Sequence, residues 1–143
     1  MAKIKLTRRT HCPISYALDV FGDKWTLLVI RDLMFKGKRR YGEFAESEEK
    51  IATNVLADRL AKLEAEGLIT RHVDPENARQ RVYELTERGL ALAPVLLEMI
   101  LWSAKHDPES AADKTFVREA QHNRARLLRS ISTAARGRRS KGA

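Results

Sequence analysis

Residues Ile51–Ile69 read IATNVLADRLAKLEAEGLI, and the other segments can be placed relative to them. Three leucines in this stretch recur at the spacing of one helix face, which predicts an amphipathic helix with a polar, low-profile opposite face. Gly67 predicts the end of that helix, because glycine readily takes the left-handed conformation that follows a last turn. The apolar pair after it opens a strand, so the order is that of a groove-reading helix followed by a wing.

The preceding segments predict the other half of a helix-turn-helix. Asp23 can cap an apolar helix that closes at Gly37, and its many apolar positions predict a central buried helix with Trp25 as a core residue. The short segment after the basic turn 36–40 has Phe44 and Ala45 as its main inward candidates. Two helices joined by a short polar turn, the second amphipathic, are typical of a helix-turn-helix.

The segments that follow predict a wing and a long helix. Leu68–Val73 and Arg81–Leu85 are rich in strand formers and flank a turn region with proline, asparagine and aspartate. Thr86 can cap one long helix that runs to His106, and Pro94 should bend it by removing a hydrogen bond. The predicted fold is mainly α (α+β): a winged helix-turn-helix with a two-stranded wing and flanking dimerisation helices.

The long helix is apolar on almost every side, and one small domain cannot bury that much apolar surface. The surplus predicts a homodimer, in which a second copy of the chain packs against the same helix. The alternative is a fully buried core helix in a monomer. The residues that we expect at the dimer interface are Leu96, Met99, Ile100 and Trp102.

The formal charge of +8 is concentrated at the two ends of the chain. Residues 1–9 carry four basic residues and no acid, and residues 107–143 carry nine basic and four acidic ones. The body between them is nearly neutral, so net charge alone is weak support for a nucleic-acid partner. The expected divisions are a basic N-terminal arm over 1–11, a DNA-binding and dimerisation domain over 12–106, a C-terminal helix over 107–131 that starts at Asp107-Pro108, and a basic flexible tail over 132–143.

The sequence lacks the signatures of membrane proteins and of common enzyme classes. No apolar run reaches the length of a membrane span, and Met1–Thr10 has no apolar core of a signal peptide, so we expect a cytoplasmic protein. The four histidines are scattered, without metal-ligand spacing around the single cysteine. Neither a G-x-x-x-x-G-K nor a G-x-G-x-x-G loop is present. We therefore expect no catalysis, no metal and no cofactor.

Several segments, in order, carry a family resemblance. They read HCPISYALDVFGDKWTLLVIRDL, GKRRYGEF, VLADRLAKLEAEGLITR, VYELTERGLAL and WSAKH. From about Cys12 to His106 the chain resembles the HxlR family of bacterial transcriptional regulators, which are MarR-like winged helices that bind DNA as dimers. The family usually has serine where Ala52 stands and threonine where Ala57 stands. Thr53 is therefore a candidate cap of the recognition helix, one residue later.

The N-terminal part of the recognition helix is expected to read bases. A helix in the major groove contacts base edges mainly with outward side chains near its N-terminus, here Thr53, Asn54 and Asp58. Asparagine can bond adenine bidentately, and aspartate can accept from the cytosine amino group. An equally weighted alternative for Asp58 is that it orients Arg59 or Lys62, since phosphates repel a carboxylate.

Basic residues around the motif suit the DNA backbone. Two lie on the flanks of the recognition helix, and three precede the first helix of the motif, where the chain passes the phosphates. An arginine at a hairpin tip can enter a narrow minor groove, and simple solvation is the alternative there. The expected backbone contacts are Lys38, Arg39, Arg40, Arg59 and Lys62, and the expected wing contacts are Arg79 and Arg81.

Cys12 is the only cysteine, so it cannot form a disulfide within one chain. It precedes Pro13 at a helix start, with Arg8, Arg9 and His11 nearby, and this setting favours the thiolate. The resemblance adds that some HxlR regulators use a cysteine at this place to sense oxidants or electrophiles. The alternative is a small buried residue retained for packing.

These features together predict a sequence-specific regulator of transcription. The simplest version is a repressor that binds a pseudo-palindromic, double-stranded operator as a homodimer, under the control of an oxidant or a small molecule. The alternative is a winged helix that contacts protein or RNA. A protein-binding module could dispense with the basic residues of helix and wing, and RNA readers usually expose aromatic side chains for stacking.

Overall fold

The computed structural model describes residues 10–139, which form eight helices and one two-stranded antiparallel sheet. Residues 1–9 of the expected basic arm and 140–143 of the expected tail lie outside the described residues. Over the described range, none of the helices combines the length and apolarity of a membrane span. The elements are α1 (Pro13–Phe21), α2 (Thr26–Met34), α3 (Tyr41–Ala45), α4 (Thr53–Ala65), β1 (Ile69–Asp74), β2 (Asn77–Leu85), α5 (Glu87–Leu90), α6 (Ala93–His106), α7 (Lys114–His122) and α8 (Arg124–Gly137).

The core is built around α2, which contacts α4, α6, α8 and the wing. Ile30 of α2 and Phe44 of α3 are fully buried, as predicted for the inward residue of α3. Trp25 is only half-buried and packs against the core from its edge. The three leucines of α4 are all buried, which confirms the amphipathic prediction; they are Leu56, Leu60 and Leu63.

The sequence predicted the C-terminal end of α4 correctly but not its N-terminal cap. Thr53 is the first helical residue and Ala52 is the cap, so the prediction that Thr53 caps the helix is wrong. At the other end Gly67 has φ +72°, and the Leu68 amide donates to the Leu63 carbonyl oxygen at 2.9 Å. This Schellman arrangement confirms the predicted glycine stop and directs the chain into β1.

The wing is a hairpin with a tighter turn than predicted. Ile69 pairs with Leu85 at its base, and a two-residue turn joins Asp74 to Asn77 at its tip. The Asp74 carboxylate accepts the Glu76 amide at 2.9 Å, which closes the turn locally. As a result β2 begins at Asn77, and the predicted seven-residue loop is wrong. The two expected wing arginines lie on β2, beside an irregularity in the pairing.

The predicted single helix from Thr86 to His106 is broken into α5 and α6. The Thr86 hydroxyl accepts the Gly89 amide at 3.1 Å, which confirms Thr86 as the cap of the first piece. Pro94 lies in the first turn of α6, where the missing amide hydrogen costs no hydrogen bond within the helix. The proline therefore starts a new helix instead of bending an existing one.

The C-terminal region also differs from the prediction of one helix starting at Asp107. Asp107 follows the last turn of α6, and α7 begins only after Asp113, whose carboxylate accepts the Thr115 and Phe116 amides at 2.7 and 3.2 Å. Asn123 then separates α7 from α8 and caps the latter. Two local caps thus divide the region where a single helix was expected.

The expected flexible tail from residue 132 is helical up to Gly137. Leu127, Ile131 and Ala135 are all buried, and their spacing of four places them on one face of α8. The apolar stripe therefore continues past residue 131. Because Ala135 is small, its part in that stripe was easy to miss in a basic sequence.

Candidate nucleic-acid interface

The outer face of α4 is accessible along its first turns. Thr53, Asn54 and Asp58 are all exposed, and the neighbouring Ala57 and Ala61 are exposed as well. Because alanine side chains are short, this face can approach base edges closely. The structure thus brings the three predicted base-reading residues together on one surface.

A hydrogen bond from α3 holds the first turn of α4, whose first backbone amides have no side-chain cap. Tyr41 of α3 donates its hydroxyl hydrogen to the Thr53 carbonyl oxygen at 2.8 Å. Ala52 has no side-chain oxygen that could cap the first amides, and no side-chain cap bond is formed there. Open first-turn amides at the positive end of a helix dipole suit a phosphate oxygen.

The linker before α4 is fixed by an ion pair to α2. The Arg31 guanidinium donates to both carboxylate oxygens of Glu49 at 2.7 and 2.8 Å. This hydrogen bonding lowers the pKa of Glu49 to about 2, against the opposing effect of partial burial. The next residue, Lys50, has φ 57°, the one positive value among non-glycine residues of the described chain. The linker is therefore tightly constrained just before the recognition helix.

Arg59 forms ion pairs with two carboxylates. Its Nε lies 2.7 Å from Asp23 and its Nη1 lies 2.5 Å from Asp58. Partial burial alone raises the pKa of Asp23, but hydrogen bonds from Thr26 and Arg59 outweigh it and bring the pKa to about 2. The contact with Asp58 agrees with the alternative that this carboxylate orients Arg59.

The basic turn before α3 is bound within the chain. Lys38 Nζ lies 3.0 Å from the Ser47 hydroxyl and 3.5 Å from the buried carboxylate of Asp32. Arg39 lies 2.8 Å from the buried carboxylate of Glu84. Phosphate contact by either side chain stays a prediction, and it would require the exchange of an existing partner.

Arg40 connects the turn to the wing. Its Nε donates at 2.7 Å to Asp74, which is 2% exposed, and the guanidinium also pairs with Glu76 at 3.3 Å. The hydrogen bond from Arg40, together with the one from the Glu76 amide, lowers the pKa of the Asp74 carboxyl. The Arg40 backbone also forms a bridge with Val82. Arg40 thus fixes the wing against the helix-turn-helix.

Three predicted DNA-contacting cations have no acidic partner among residues 10–139: Lys62, Arg79 and Arg81. Arg81 donates only to carbonyl oxygens of its own hairpin, those of Ala78 and Gln80. Both arginines line a groove of about 590 Å³ between α3 and β2. Their positive charge is therefore free to act on an external anion.

Apolar side chains are exposed on α1 and α6. Trp102 is 67% exposed and Met99 is 49% exposed, while Ile100 is partly buried. Leu96 is only 6% exposed because it faces the core of its own chain, and its place at a dimer interface stays a prediction. An exposed pair on α1, Ile14 and Leu18, was missed by the sequence reasoning.

A family model described as HxlR-like helix-turn-helix matches residues 20–111, more than half of the chain. The chain belongs to the HxlR family. The family resemblance seen in the sequence is confirmed, as is the winged helix-turn-helix fold. The chain is therefore a helix-turn-helix regulator of transcription, a class that binds DNA, and its family is not one of enzymes.

Individual relatives agree with this assignment. The chain is 42% identical over 88 residues to the HTH-type transcriptional regulator sll1512 of Synechocystis sp., a match that covers 62% of this chain and 64% of the relative. It is 38% identical over 95 residues to the HTH-type transcriptional regulator YodB of Bacillus subtilis, with 66% and 84% covered. The solved structure of the redox regulator HypR in its oxidised form superposes with a TM-score of 0.59 at 34% identity, covering 66% of this chain and 97% of HypR.

In this HxlR-family chain, Cys12 occupies the start of α1, directly before Pro13 in the first turn. Its side chain is exposed, which disagrees with the alternative of a buried packing residue. His11 is exposed beside it, whereas Arg8 and Arg9 lie outside the described residues. Among residues 10–139 it is the only thiol at the surface.

Sequence reasoning missed the residues that position α4. Tyr41, Glu49 and Asp23 each hold part of the helix or of its linker, but only Asp23 was singled out, as a cap of α2. It does accept the Trp25 and Thr26 amides, at 3.0 and 3.2 Å. Its pairing with Arg59 spans 36 positions and has no local sequence signal.

Proposed function

We propose that this HxlR regulator recognises a specific double-stranded operator through the outer face of α4. The observation that carries the proposal is the exposed, low-profile face with Thr53, Asn54 and Asp58, next to an open first turn. A helix of this shape can enter a major groove, and Asn54 offers the donor and acceptor that adenine requires. Asp58 acts either on a cytosine or by orienting Arg59.

We propose different roles for the two groups of basic residues. The unpaired Lys62, Arg79 and Arg81 contact phosphates or the minor groove, because their charge is not already neutralised. The paired residues act mainly by position: they fix the turn, the wing and α4 so that the free cations meet the DNA in register. The paired residues are Lys38, Arg39, Arg40 and Arg59.

The exposed apolar side chains support a homodimer. Trp102, Met99 and Ile100 on α6, together with Ile14 and Leu18 on α1, are the apolar groups that a second copy would cover. Two-fold symmetry would present two recognition helices to one side of the DNA, so the operator is pseudo-palindromic. Repression is the simplest outcome, since bound protein only has to overlap a promoter.

Cys12 is proposed as a redox-sensitive group. Its exposure at a helix start supports this role, and one similar structure is named as a redox regulator in its oxidised form. Oxidation would join the Cys12 sulfurs of two subunits in a disulfide, with the oxidant accepting two electrons and the thiols releasing two protons. Adduct formation with an electrophile is the second route.

Selection of bound fragments from the source genome tests the central proposal. We expect the wild-type chain to enrich fragments that share one pseudo-palindromic sequence. Asn54→Ala should enrich them less selectively, while circular dichroism shows an unchanged fold. Equal recovery of all fragments by the wild type would contradict sequence-specific binding.

A mobility-shift experiment tests the role of Cys12. The selected fragment is titrated with wild type and with Cys12→Ser, each before and after treatment with hydrogen peroxide. We expect oxidation to change the affinity of the wild type alone, with reversal by dithiothreitol. Unchanged affinity of both proteins would end the redox proposal.

A further inference from the structure

A second concave surface, here called the α2–α6 groove, is lined by residues none of which belongs to α4. It has a volume of about 480 Å³, within the range of roughly 300–1,000 Å³ that is typical of small-molecule sites. Two of its aromatic side chains meet edge to face, with ring centroids 6.1 Å apart. Its apolar wall is formed chiefly by Leu27, Leu28, Phe35, Met99, Ile100 and Phe116.

The charged groups at the edge of the groove already have partners. The Arg31 guanidinium is shared between Glu49 and Asp32, and the Asp113 carboxylate accepts two amides at the start of α7. A charged ligand would have to displace one of these partners. An uncharged aromatic ligand would meet apolar walls, with the Ser103 hydroxyl as a neutral polar group in the lining.

We propose that the α2–α6 groove binds an uncharged aromatic molecule of two or three rings, and that this molecule is an effector of the regulator. The effector role rests on the proposed DNA-binding function. The site is separate from the redox proposal and overlaps one side of the proposed dimer surface on α6. Neither Cys12 nor Trp102 belongs to its lining, whereas Met99 and Ile100 belong both to the groove and to the proposed dimer surface.

A direct connection leads from this groove to the recognition helix. Arg31 lines the groove and also holds Glu49, which lies three residues before the cap of α4 at Ala52. Lys50, in its left-handed conformation, lies between them. A ligand that shifts the Arg31 side chain therefore changes how the linker presents α4.

The groove depends on the C-terminal extension. One of its sides is made by residues 110–113 and by Phe116, whereas the HxlR family match ends at residue 111. Ala112 is a small, half-buried residue on this side. The groove is therefore closed on one side by residues beyond the family match, Ala112, Asp113 and Phe116.

Titration with N-phenyl-1-naphthylamine tests the site, because this uncharged probe of three rings emits more strongly in apolar surroundings. We expect saturable binding at one site per full-length chain. Ala112→Trp places an indole in the groove and should weaken binding at least tenfold. Ala134→Trp, the same substitution on the exposed surface of α8, should bind like the wild type. Equal binding by both variants, or no saturation, would overturn the groove as a ligand site.

The same probe tests the coupling to DNA. Saturating probe should change the affinity of the wild type for its selected fragment by about 5–150-fold, and the fragment should change probe affinity equally. Glu49→Gln should keep probe binding and lose most of that coupling. Probe binding without coupling would overturn the effector role.

Two further outcomes separate the proposals. Specific DNA binding without saturable probe binding would overturn only the proposal that the groove binds a ligand. Saturable probe binding without any DNA preference would overturn the proposed function and the effector role, and leave the groove intact. Sedimentation across a dilution series measures how much of the chain is dimeric. If the bound fraction of probe falls as the dimer fraction rises, a second copy fills the groove, and the ligand site is overturned.

Discussion

The wing and the C-terminal extension are both rich in arginine, but Arg79 of the wing and Arg136 of the extension differ in how their charge is used. Arg79 on the wing is exposed and has no acidic partner among residues 10–139. In the extension, Arg136 donates twice to Glu87, at 2.9 and 2.8 Å, and lowers the pKa of that carboxyl to about 2. Local pairing, and not the net charge of a segment, therefore shows where a DNA phosphate can be bound.

The extension also completes the core that supports the recognition half. Arg138 donates to the Leu33 and Met34 carbonyl oxygens at the end of α2, at 3.3 and 2.6 Å. The last carbonyls of a helix have no partner within it, and a cation there also complements the helix dipole. The last part of the chain thus stabilises α2, on which α4 is packed.

The largest expected effect comes from the buried stripe of α8. Ile131→Ala should lower the free energy of unfolding by about 2–4 kcal/mol, because it leaves a cavity between α8 and the core. Urea unfolding measures this change. Thr133→Ala, exposed two residues further on, should stay within about 0.5 kcal/mol of wild type. Equal stability of the two variants would mean that α8 is not part of the core.

The second expected effect lies on α4. Asn54→Ala should reduce discrimination between operator and random DNA by about 1–3 kcal/mol, because one bidentate base contact is lost. Unfolding stability should hardly change, since Asn54 is exposed. Gln121→Ala on α7 is the matched control and should leave discrimination intact. An equal loss of affinity for random DNA would mean that Asn54 contacts the DNA backbone and not a base.

A third experiment compares the two sets of arginines directly. Arg79→Ala should reduce the slope of log affinity against log salt concentration by about one, because one phosphate contact disappears. Arg136→Ala should leave the slope unchanged, since its charge is already paired with Glu87. Binding isotherms at several salt concentrations supply both slopes. A lower salt-dependence slope for Arg136→Ala would mean that Arg136 in the extension contacts DNA phosphates.

The smallest expected effect concerns pH. The pKa values of Asp23 and Glu49 are lowered from 3.8 and 4.5 to about 2 in the folded chain. Carboxylates with depressed pKa values stabilise the fold at neutral pH, and this stabilisation is lost as pH falls through about 5 to 2. The double variant Asp23→Asn with Glu49→Gln should lose less stability over that window in urea titrations. Identical pH slopes would contradict these ion pairs.

Much of the fold could be read from the sequence because its signals are local. The leucines of α4, the stop at Gly67 and the cap at Thr86 each depend on neighbours within one or two helical turns. The break before α6 could not be read in the same way. Pro94 is compatible both with a bend in a long helix and with the first turn of a new one.

The site was predictable only in part. Exposure of Thr53, Asn54 and Asp58 followed from the helix period. The pairs of Arg40 with Asp74 and of Arg59 with Asp23, in contrast, join residues more than 30 positions apart. Such pairs are set by tertiary packing, which a single sequence does not display. For the same reason a basic tail was expected where α8 packs against the core.

A hydroxyl-radical footprint on the selected fragment tests the central claim most directly. If two copies of α4 read one operator, the wild-type chain should protect two blocks related by a pseudo-two-fold axis, about 10 base pairs apart. Asn54→Ala should weaken both blocks together. A single asymmetric block, or uniform protection along the fragment, would contradict the proposed mode of recognition.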